Sequence, residues 1–341
     1  MGLSSSCKIF DCFSSALEWI ARLRLHIPGI LHLLDDFLIV SKSLASCAND
    51  LQVFLKTCDE LGVPMAPEKT VGPSFVLSFA GIEPDTQNME ARLPSDKLTK
   101  CRDSIQHFLR RKKITLRELQ SLIGLLNLTC SVIVPGRTFL RRLINLTVGV
   151  KRPRYFIRLN RETKSDLKLW LNFLESYNGK SFFLDYNWLL SAKLHLYTDA
   201  AGSLGYGAVF GSNWLYGQWP SNWLGRNIIV LEMFPIVISL SIWASELANK
   251  CVLFHTDNRG LVDVINKKTT KDNKLIVLLR ELVLQCLKHV LFRAVHVPGV
   301  LNVKADALSR LQVTKFKSLG QGMDHEQTLV PPHLLPESWP L

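Results

Sequence analysis

The chain has 341 residues, 47% of them apolar and 21% charged, which is room for two or three small domains built around real cores. Its eight cysteines are scattered and none forms a C-x-x-C pair, so a zinc ribbon or redox motif is excluded in favour of reduced thiols in the cytoplasm or nucleus. The formal charge of +12 is concentrated: Lys97 to Lys168 holds 18 Lys/Arg against 4 Asp/Glu, either the footprint of a polyanion or a solvated basic surface.

Residues 1–26 carry Phe10, Phe13, Ala16, Leu17, Ile20 and Leu23 at helical spacing, stopped by Pro28-Gly29. Met1-Gly2 opens a short myristoylation-like pattern of low specificity. Ile30 to Val40 is apolar on both sides of Asp35-Asp36 and predicts a hairpin with the acidic pair at its tip. A second amphipathic helix runs from Ser43 to Leu61 and ends at Gly62, and short strands are expected around Val63 to Met65 and Val76 to Ile82. Ser95 caps the next helix, and Thr115 with Glu118 forms a capping box for the one after, which Pro135-Gly136 is expected to end. Arg137 to Leu146 reads as a third helix with Arg141 and Arg142 on one side, Lys151 to Arg158 as linker or strand, and Glu162 to Tyr177 as a helix stopped by Asn178-Gly179.

From Leu194 the pattern changes. Strands are expected at Leu194–Thr198, Gly205–Phe210, Trp214–Trp219, Cys251–Thr256 and Leu291–Val297, with Gly211-Ser212-Asn213 as a hairpin turn. Helices are expected from about Ile229 to Ala248, Gly260 to Asn266, Asn273 to Lys288 and Val303 to Leu311. Pro235 is tolerable only in the first turn of its helix. The apolar stretch from Ile228 to Phe254 is broken by Glu232, Pro235, Glu246 and Lys250, so no membrane span is expected. The tail from Val313, with Pro331, Pro332, Pro336 and Pro340, reads as linker.

Four acids fall where strands end and helices begin: Asp199, Glu232 in a first helical turn, Asp257, and Asp306 opening the last helix. In a sheet with parallel central strands such positions meet at one edge. A lone Asp after a strand is commonly a turn former. Four in apolar or small surroundings point instead to compensation by cations, and two Mg²⁺ ions, with Mn²⁺ as a substitute, suit an all-carboxylate set.

The segments YTDAAGSLGYGAVF, LEMFPIVISL, FHTDN and HVPGVLNVKADALSR, in that order from about Leu194 to Leu311, resemble the ribonuclease H domain of long-terminal-repeat and DIRS-type retroelements. The resemblance implies catalytic and metal-binding roles for Asp199, Glu232, Asp257 and Asp306, and RNA–DNA hybrid as substrate. Cellular members often carry a His after the Gly of the loop before the last Asp; here Val300 follows Gly299. Upstream, LHLLDDFLIVSKS is similar to the Asp-Asp hairpin of reverse transcriptases, which implies metal binding by Asp35 and Asp36. LGVPMAPEKTVGPSFVLSFAGI is similar to the palm strands that follow it. The usual aromatic residue before the acid pair is Leu33. The fingers and the palm strand with the remaining acid are expected before Met1, so the polymerase half is expected to be truncated and inactive alone.

The expected organisation is a partial reverse-transcriptase palm over residues 1–93, a thumb-like helical region over 94–150, and a connection over 151–190. A ribonuclease H-like domain with a mixed five-stranded sheet and flanking helices spans 191–312, and a Pro-containing tail spans 313–341. The fold class is thus α/β and α+β. Expected partners are RNA–DNA hybrid and duplex nucleic acid, contacted first through Arg110, Arg111, Lys112, Lys113, Arg141 and Arg142. The alternative is an inactive or recruited nucleic-acid-binding remnant. The oligomeric state is not legible.

Overall fold

The computed structural model describes residues 5–176, 180–182, 193–247, 250–286 and 290–340, which divide into two compact units, Met1–Ser95 and Asp96–Leu341. In the first, helix α1 (Ser6–Leu23) and helix α2 (Leu44–Glu60) flank a hairpin of β1 (Ile30–Leu33) and β2 (Asp36–Ile39). Ala21, Ile27, Ile30, Phe54 and Cys58 form the core, with Phe37, Ile39 and Val63 packed against it. Gly29 is required because a Cβ there would stand 2.0 Å from the Val40 carbonyl oxygen. No strand forms around Val63, and Val76 to Ile82 makes only isolated antiparallel bridges, Val76 with Asp85 and Phe79 with Ile82. Pro64, Pro67 and Pro73 remove ladder donors in this stretch. The hairpin falls later instead, at β3 (Glu83–Asp85) and β4 (Glu90–Arg92), where Arg92 pairs with Glu83 at 2.6 Å and with buried Asp85 at 3.2 Å.

The second unit begins with α3 (Ser95–Arg110), β5 (Lys113–Thr115), α4 (Leu116–Thr129) and α5 (Gly136–Asn145). The Thr115–Glu118 capping box is present. Pro135-Gly136 does not end α4, which stops at Thr129; it opens α5, where a proline lacking an N–H costs nothing. Gly136 also admits Trp170, whose ring atoms would lie 2.2 Å from a Cβ. β6 (Phe156–Arg158) pairs antiparallel with β5, so the basic stretch after α5 is strand at its end. Helix α6 (Arg161–Ser176) buries Leu167, Trp170 and Leu174; Tyr177 and the Asn178-Gly179 stop lie outside the described residues. A short strand β7 (Lys180–Phe182) follows.

The remaining elements build a five-stranded mixed sheet with flanking helices. Its strands are β8 (Lys193–Ala200), β9 (Gly205–Phe210), β10 (Asn213–Gln218), β11 (Lys250–Thr256) and β12 (Val290–His296), in the order β10-β9-β8-β11-β12. The first three are antiparallel neighbours; β8–β11 and β11–β12 are parallel. Helix α7 (Ile228–Ile242) is buried from Val230 to Leu240 and has no polar face, as a helix between a sheet and other helices must be. Pro235 lies in its second turn, beyond the first turn that its missing N–H predicts, and the surrounding apolar burial offsets the lost bond. A four-residue helix α8 (Ala244–Leu247), then α9 (Arg259–Lys267), α10 (Leu275–Cys286), α11 (Val303–Ser309) and α12 (Val313–Leu319) complete the unit. No helix among the described residues is long and apolar enough to cross a membrane.

The tail is not free linker. The Asp324 and Thr328 amides donate to the carbonyls of Ser212 and Trp214, at 3.0 and 2.8 Å, along the outer edge of β10. The Trp214 indole donates to the Asp324 carbonyl at 2.8 Å.

Helices α5, α6 and α10 are joined through one buried carboxylate. Asp166, fully buried, accepts from Arg280 at 3.1 Å and from Arg142 at 3.4 Å, while the Arg280 guanidinium lies 4.5 Å over the Phe139 ring. Removing one partner of a buried pair leaves the other charge uncompensated. Asp166→Ala is therefore expected to lower unfolding free energy by about 3–5 kcal/mol. Chemical denaturation measures it, and a loss under about 1 kcal/mol, the range of exposed pairs, would mean that this network contributes little.

Candidate active site

The register of the two central strands places the first two acids. β8 and β11 run parallel with Tyr197 opposite His255, so Asp199 and Asp257, each two residues further on, emerge at the same end of the pair. Asp199 is in β8 and Asp257 follows the end of β11. Glu232 enters from α7, at the start of its second turn rather than in the first. Asp306 lies in the first turn of α11, as its sequence position predicts.

Helix α11 reaches the sheet because of one glycine. Gly207 pairs with Asp199 across β8 and β9, and a Cβ there would meet Leu308 Cβ at 2.4 Å and the Ser309 amide nitrogen at 3.0 Å. The absence of a side chain lets α11 lie directly on the strand, bringing Ser309 and Asp306 to Asp199. The buried Ser309 hydroxyl donates to Asp199 Oδ2 and also lies 2.9 Å from the Asp306 carbonyl oxygen. Asn302, preceding α11, donates from Nδ2 to the Thr198 carbonyl at 2.9 Å.

Glu232 is held from the other side. Thr256 Oγ1 donates to Glu232 Oε2 at 2.8 Å, and Asn258 Nδ2 to Oε1 at 3.3 Å. The Asn258 side-chain oxygen Oδ1 caps α9 by accepting from the Leu261 amide at 3.1 Å, which fixes the side-chain amide orientation. Asp306 pairs with Arg310 at 2.7 Å, one turn along α11. These four supporting residues, Thr256, Asn258, Asn302 and Ser309, lie within the motif segments, but nothing in their spacing announces which acid each one holds.

Asp199 and Glu232 are buried, Asp306 half-buried and Asp257 exposed. Burial, joined by the neighbouring charges of Asp257 and Asp306, raises the Asp199 carboxyl from an ordinary 3.8 to about 6 against the Ser309 hydrogen bond. Burial likewise raises Glu232 from 4.5 to about 7, against its hydrogen bonds from Thr256 and Asn258. Asp199, Glu232 and Asp306 are each turned toward a protein donor, and among the described residues no three His, Cys, Asp or Glu side chains already stand as a metal-coordinating group. The donor set nonetheless fits hard divalent cations: the candidates are all oxygen, two are buried, and both of those are disfavoured as anions by burial and by one another.

The other sequence-predicted residues are elsewhere. Asp35 and Asp36 are exposed at the hairpin tip, with Leu34 at φ +55° in the turn. Arg110, Lys112 and Lys113 are exposed where α3 passes into β5. Arg111 pairs with Glu118 at 2.5 Å, Arg142 with Glu162 and Asp166 at 3.6 and 3.4 Å, and Arg141 is half-buried. Two of the six expected nucleic-acid contacts thus have internal anionic partners.

No protein-family model matches the sequence. No curated protein matches it. Among solved structures, the chain is similar to the foamy viral protease-reverse transcriptase in complex with double-stranded DNA, at 17% identity over 83% of this chain and 48% of that one, with a TM-score of 0.42. It is also similar to the foamy viral protease-reverse transcriptase in complex with RNA/DNA hybrid, at 14% identity over 83% of this chain and 37% of that one, TM-score 0.40. The RNase H1 of the halophilic archaeon Halobacterium salinarum aligns at 19% identity over 36% of this chain and 99% of its own, TM-score 0.28. The chain spans less than two thirds of either foamy viral chain.

The raised carboxyls carry a sign for stability. A folded-state pKa above the unfolded one means that the folded protein retains protons the unfolded chain has released, so stability falls as pH rises between the two values. For Asp199 and Glu232 that window runs from their ordinary values of 3.8 and 4.5 to about 6 and about 7. In chelator, the contribution of these two groups is expected to decline from about pH 4 to about pH 7, and Glu232→Gln to flatten the upper part of the decline. Denaturant midpoints across that range test it; an unchanged slope in the variant would locate the effect elsewhere.

Proposed function

We propose that the second unit cuts the RNA strand of RNA–DNA hybrids, with Asp199, Glu232, Asp257 and Asp306 holding two Mg²⁺ or Mn²⁺ ions. The observation that carries this reading is the delivery of four carboxylates from four separate elements to one edge of a mixed sheet, two of them buried. When bound, such a pair of ions lowers the pKa of an attacking water and stabilises the leaving oxygen of the phosphodiester. The chain's own residues prepare the edge. Ser309 holds Asp199, Thr256 and Asn258 hold Glu232, and Arg310 holds the charge of Asp306. Asp257, exposed, is left to face substrate. Val300 stands where a histidine would assist product release, so no such proton carrier is assigned.

The basic residues of Lys97–Lys168 supply the electrostatic term for a polyanionic substrate. Arg110, Lys112 and Lys113 are its first candidates because they are exposed. Asp35 and Asp36 stand exposed at a hairpin tip, and no polymerase step is assigned to them. The alternative, a binding remnant without activity, predicts hybrid binding with no cleavage from a folded sample.

Cleavage of labelled hybrid by the full chain is expected with Mg²⁺ or Mn²⁺ and not in chelator. Asp257→Asn keeps side-chain size and removes charge at an exposed position, so folding is expected to be intact while cleavage falls by at least ~100-fold. Wild-type rates in this variant would remove Asp257 from the ligand set.

Hybrid affinity is expected to fall steeply with salt, each phosphate contact contributing about 0.7–0.9 to the slope of log affinity against log salt. Lys112→Ala with Lys113→Ala is expected to reduce that slope by up to about 2, and an unchanged slope would place binding on other residues.

A further inference from the structure

The proposed hydrolysis leaves one polar cluster of the sheet unused. His195 in β8 and Tyr197 two residues on share a face with His255 in β11, since side chains alternate along a strand. The parallel register sets His195 opposite Leu253 and His255 opposite Tyr197, so the two histidines are diagonal neighbours. Their rings span that diagonal: His195 Nδ1 stands 2.8 Å from His255 Nε2, with ring centroids 5.0 Å apart. His255 is fixed from behind by stacking on Tyr197, at 4.2 Å and 13° between planes. His195 is exposed and His255 half-buried, so the pair is open to solvent from one side.

A hydrogen bond between two imidazoles joins one ring N–H to one lone pair. Movement of that proton to the donor ring's other nitrogen, its second neutral tautomer, leaves two lone pairs directed at each other. His χ2 is a broad torsion, so small rotations turn both lone pairs toward a common point. Imidazole nitrogen favours late first-row divalent ions, whereas Mg²⁺ favours the oxygens of the carboxylate edge, so the two places select different cations.

We propose that His195 and His255 form a two-imidazole site for a late transition-metal cation such as Zn²⁺, with water in the remaining positions. The donor imidazole changes tautomer and keeps its proton on the outer ring nitrogen, so no proton is released and nothing is oxidised or reduced. The site bridges β8 and β11, the strands that deliver Asp199 and Asp257, so a bound cation clamps the pairing on which the carboxylate edge depends and stabilises the folded state. This inference stands apart from the hydrolytic reading, because its test needs no cleavage.

The test is Zn²⁺ titration of the full chain carrying ¹⁵N-labelled histidine, in the presence of Mg²⁺, with His195→Gln and His255→Gln used to assign the two ring signals. The ring-nitrogen signals of His195 and His255 are expected to shift together on Zn²⁺, to ignore Mg²⁺, and to shift equally in Asp257→Asn. In His195→Gln the His255 signal is expected to stay in place at the same Zn²⁺ concentrations. The exposed position of His195 lets glutamine be accommodated, and a thermal melt without Zn²⁺ confirms folding. Two unmoved signals, including the case in which Zn²⁺ is taken up by the exposed Cys7 and Cys12, would overturn the proposal. So would a His255 shift that persists undiminished in a folded His195→Gln protein.

Discussion

The parallel pairing of β8 with β11 governs the candidate site, because both strands lead their acids, Asp199 and Asp257, to the same end of the sheet. Two like charges so placed repel, and one of them is nearly buried, so the pairing creates an electrostatic cost at its C-terminal end. The rest of the local structure is arranged around that cost. Gly207 lets α11 press onto the sheet and bring the Ser309 hydroxyl to Asp199. Thr256, the last residue of β11, turns its hydroxyl to Glu232. These neutral donors reduce the penalty without removing the charges, which leaves an edge whose remaining deficit is positive charge. That is a chemical reason to read the carboxylates as cation ligands rather than as caps or turn formers.

A second buried carboxylate is settled in the opposite way. Asp166 lies between two guanidinium groups, and its pairing joins helices that precede the sheet to α10, which packs beside it. Burial still raises the Asp166 carboxyl, but its opposing partners are guanidinium cations of the protein itself, as in a structural ion pair. Asp199 and Glu232 have no such guanidinium partner among their hydrogen bonds, which are to hydroxyl and amide groups. The contrast within one unit separates a carboxylate that braces helices from carboxylates suited to an external cation.

The sheet was legible in the sequence because alternation and turn chemistry agree: Gly211, at φ +61°, closes the β9–β10 hairpin where the turn was expected. The four acids were legible because each sits at a strand end or an early helical turn within a motif. What holds them was not, since Ser309 meets Asp199 across 110 residues and Asn258 meets Glu232 across 26. The internal partners of the basic residues were not legible either, for the same reason. Charge counting cannot see that Arg142 faces Asp166 or that Arg111 faces Glu118. Proline punctuation was misread twice, once at Pro135, which opens a helix, and once at Pro235, which a fully buried helix tolerates in its second turn.

The tail shows how composition alone misleads about order. Prolines lack an N–H, so a Pro-rich segment cannot pair as a regular strand, and from that the tail reads as linker. Its carbonyls remain acceptors, and only four of its 29 residues are prolines, so amides remain for an edge. Asp324 and Thr328 donate to the outer strand β10, covering backbone groups that an open sheet would present to other chains. Further on, the Trp223 indole N–H, fully buried beside Trp219 and Phe234, needs an acceptor, and the Pro336 carbonyl supplies one at 3.0 Å. Trp339 then lies edge-on to Phe234 at 5.9 Å. Phe234 belongs to α7, two residues from Glu232. The tail therefore supports, from behind, the helix that carries one of the four carboxylates, and the proline carbonyl that makes this contact is the group a proline can still offer.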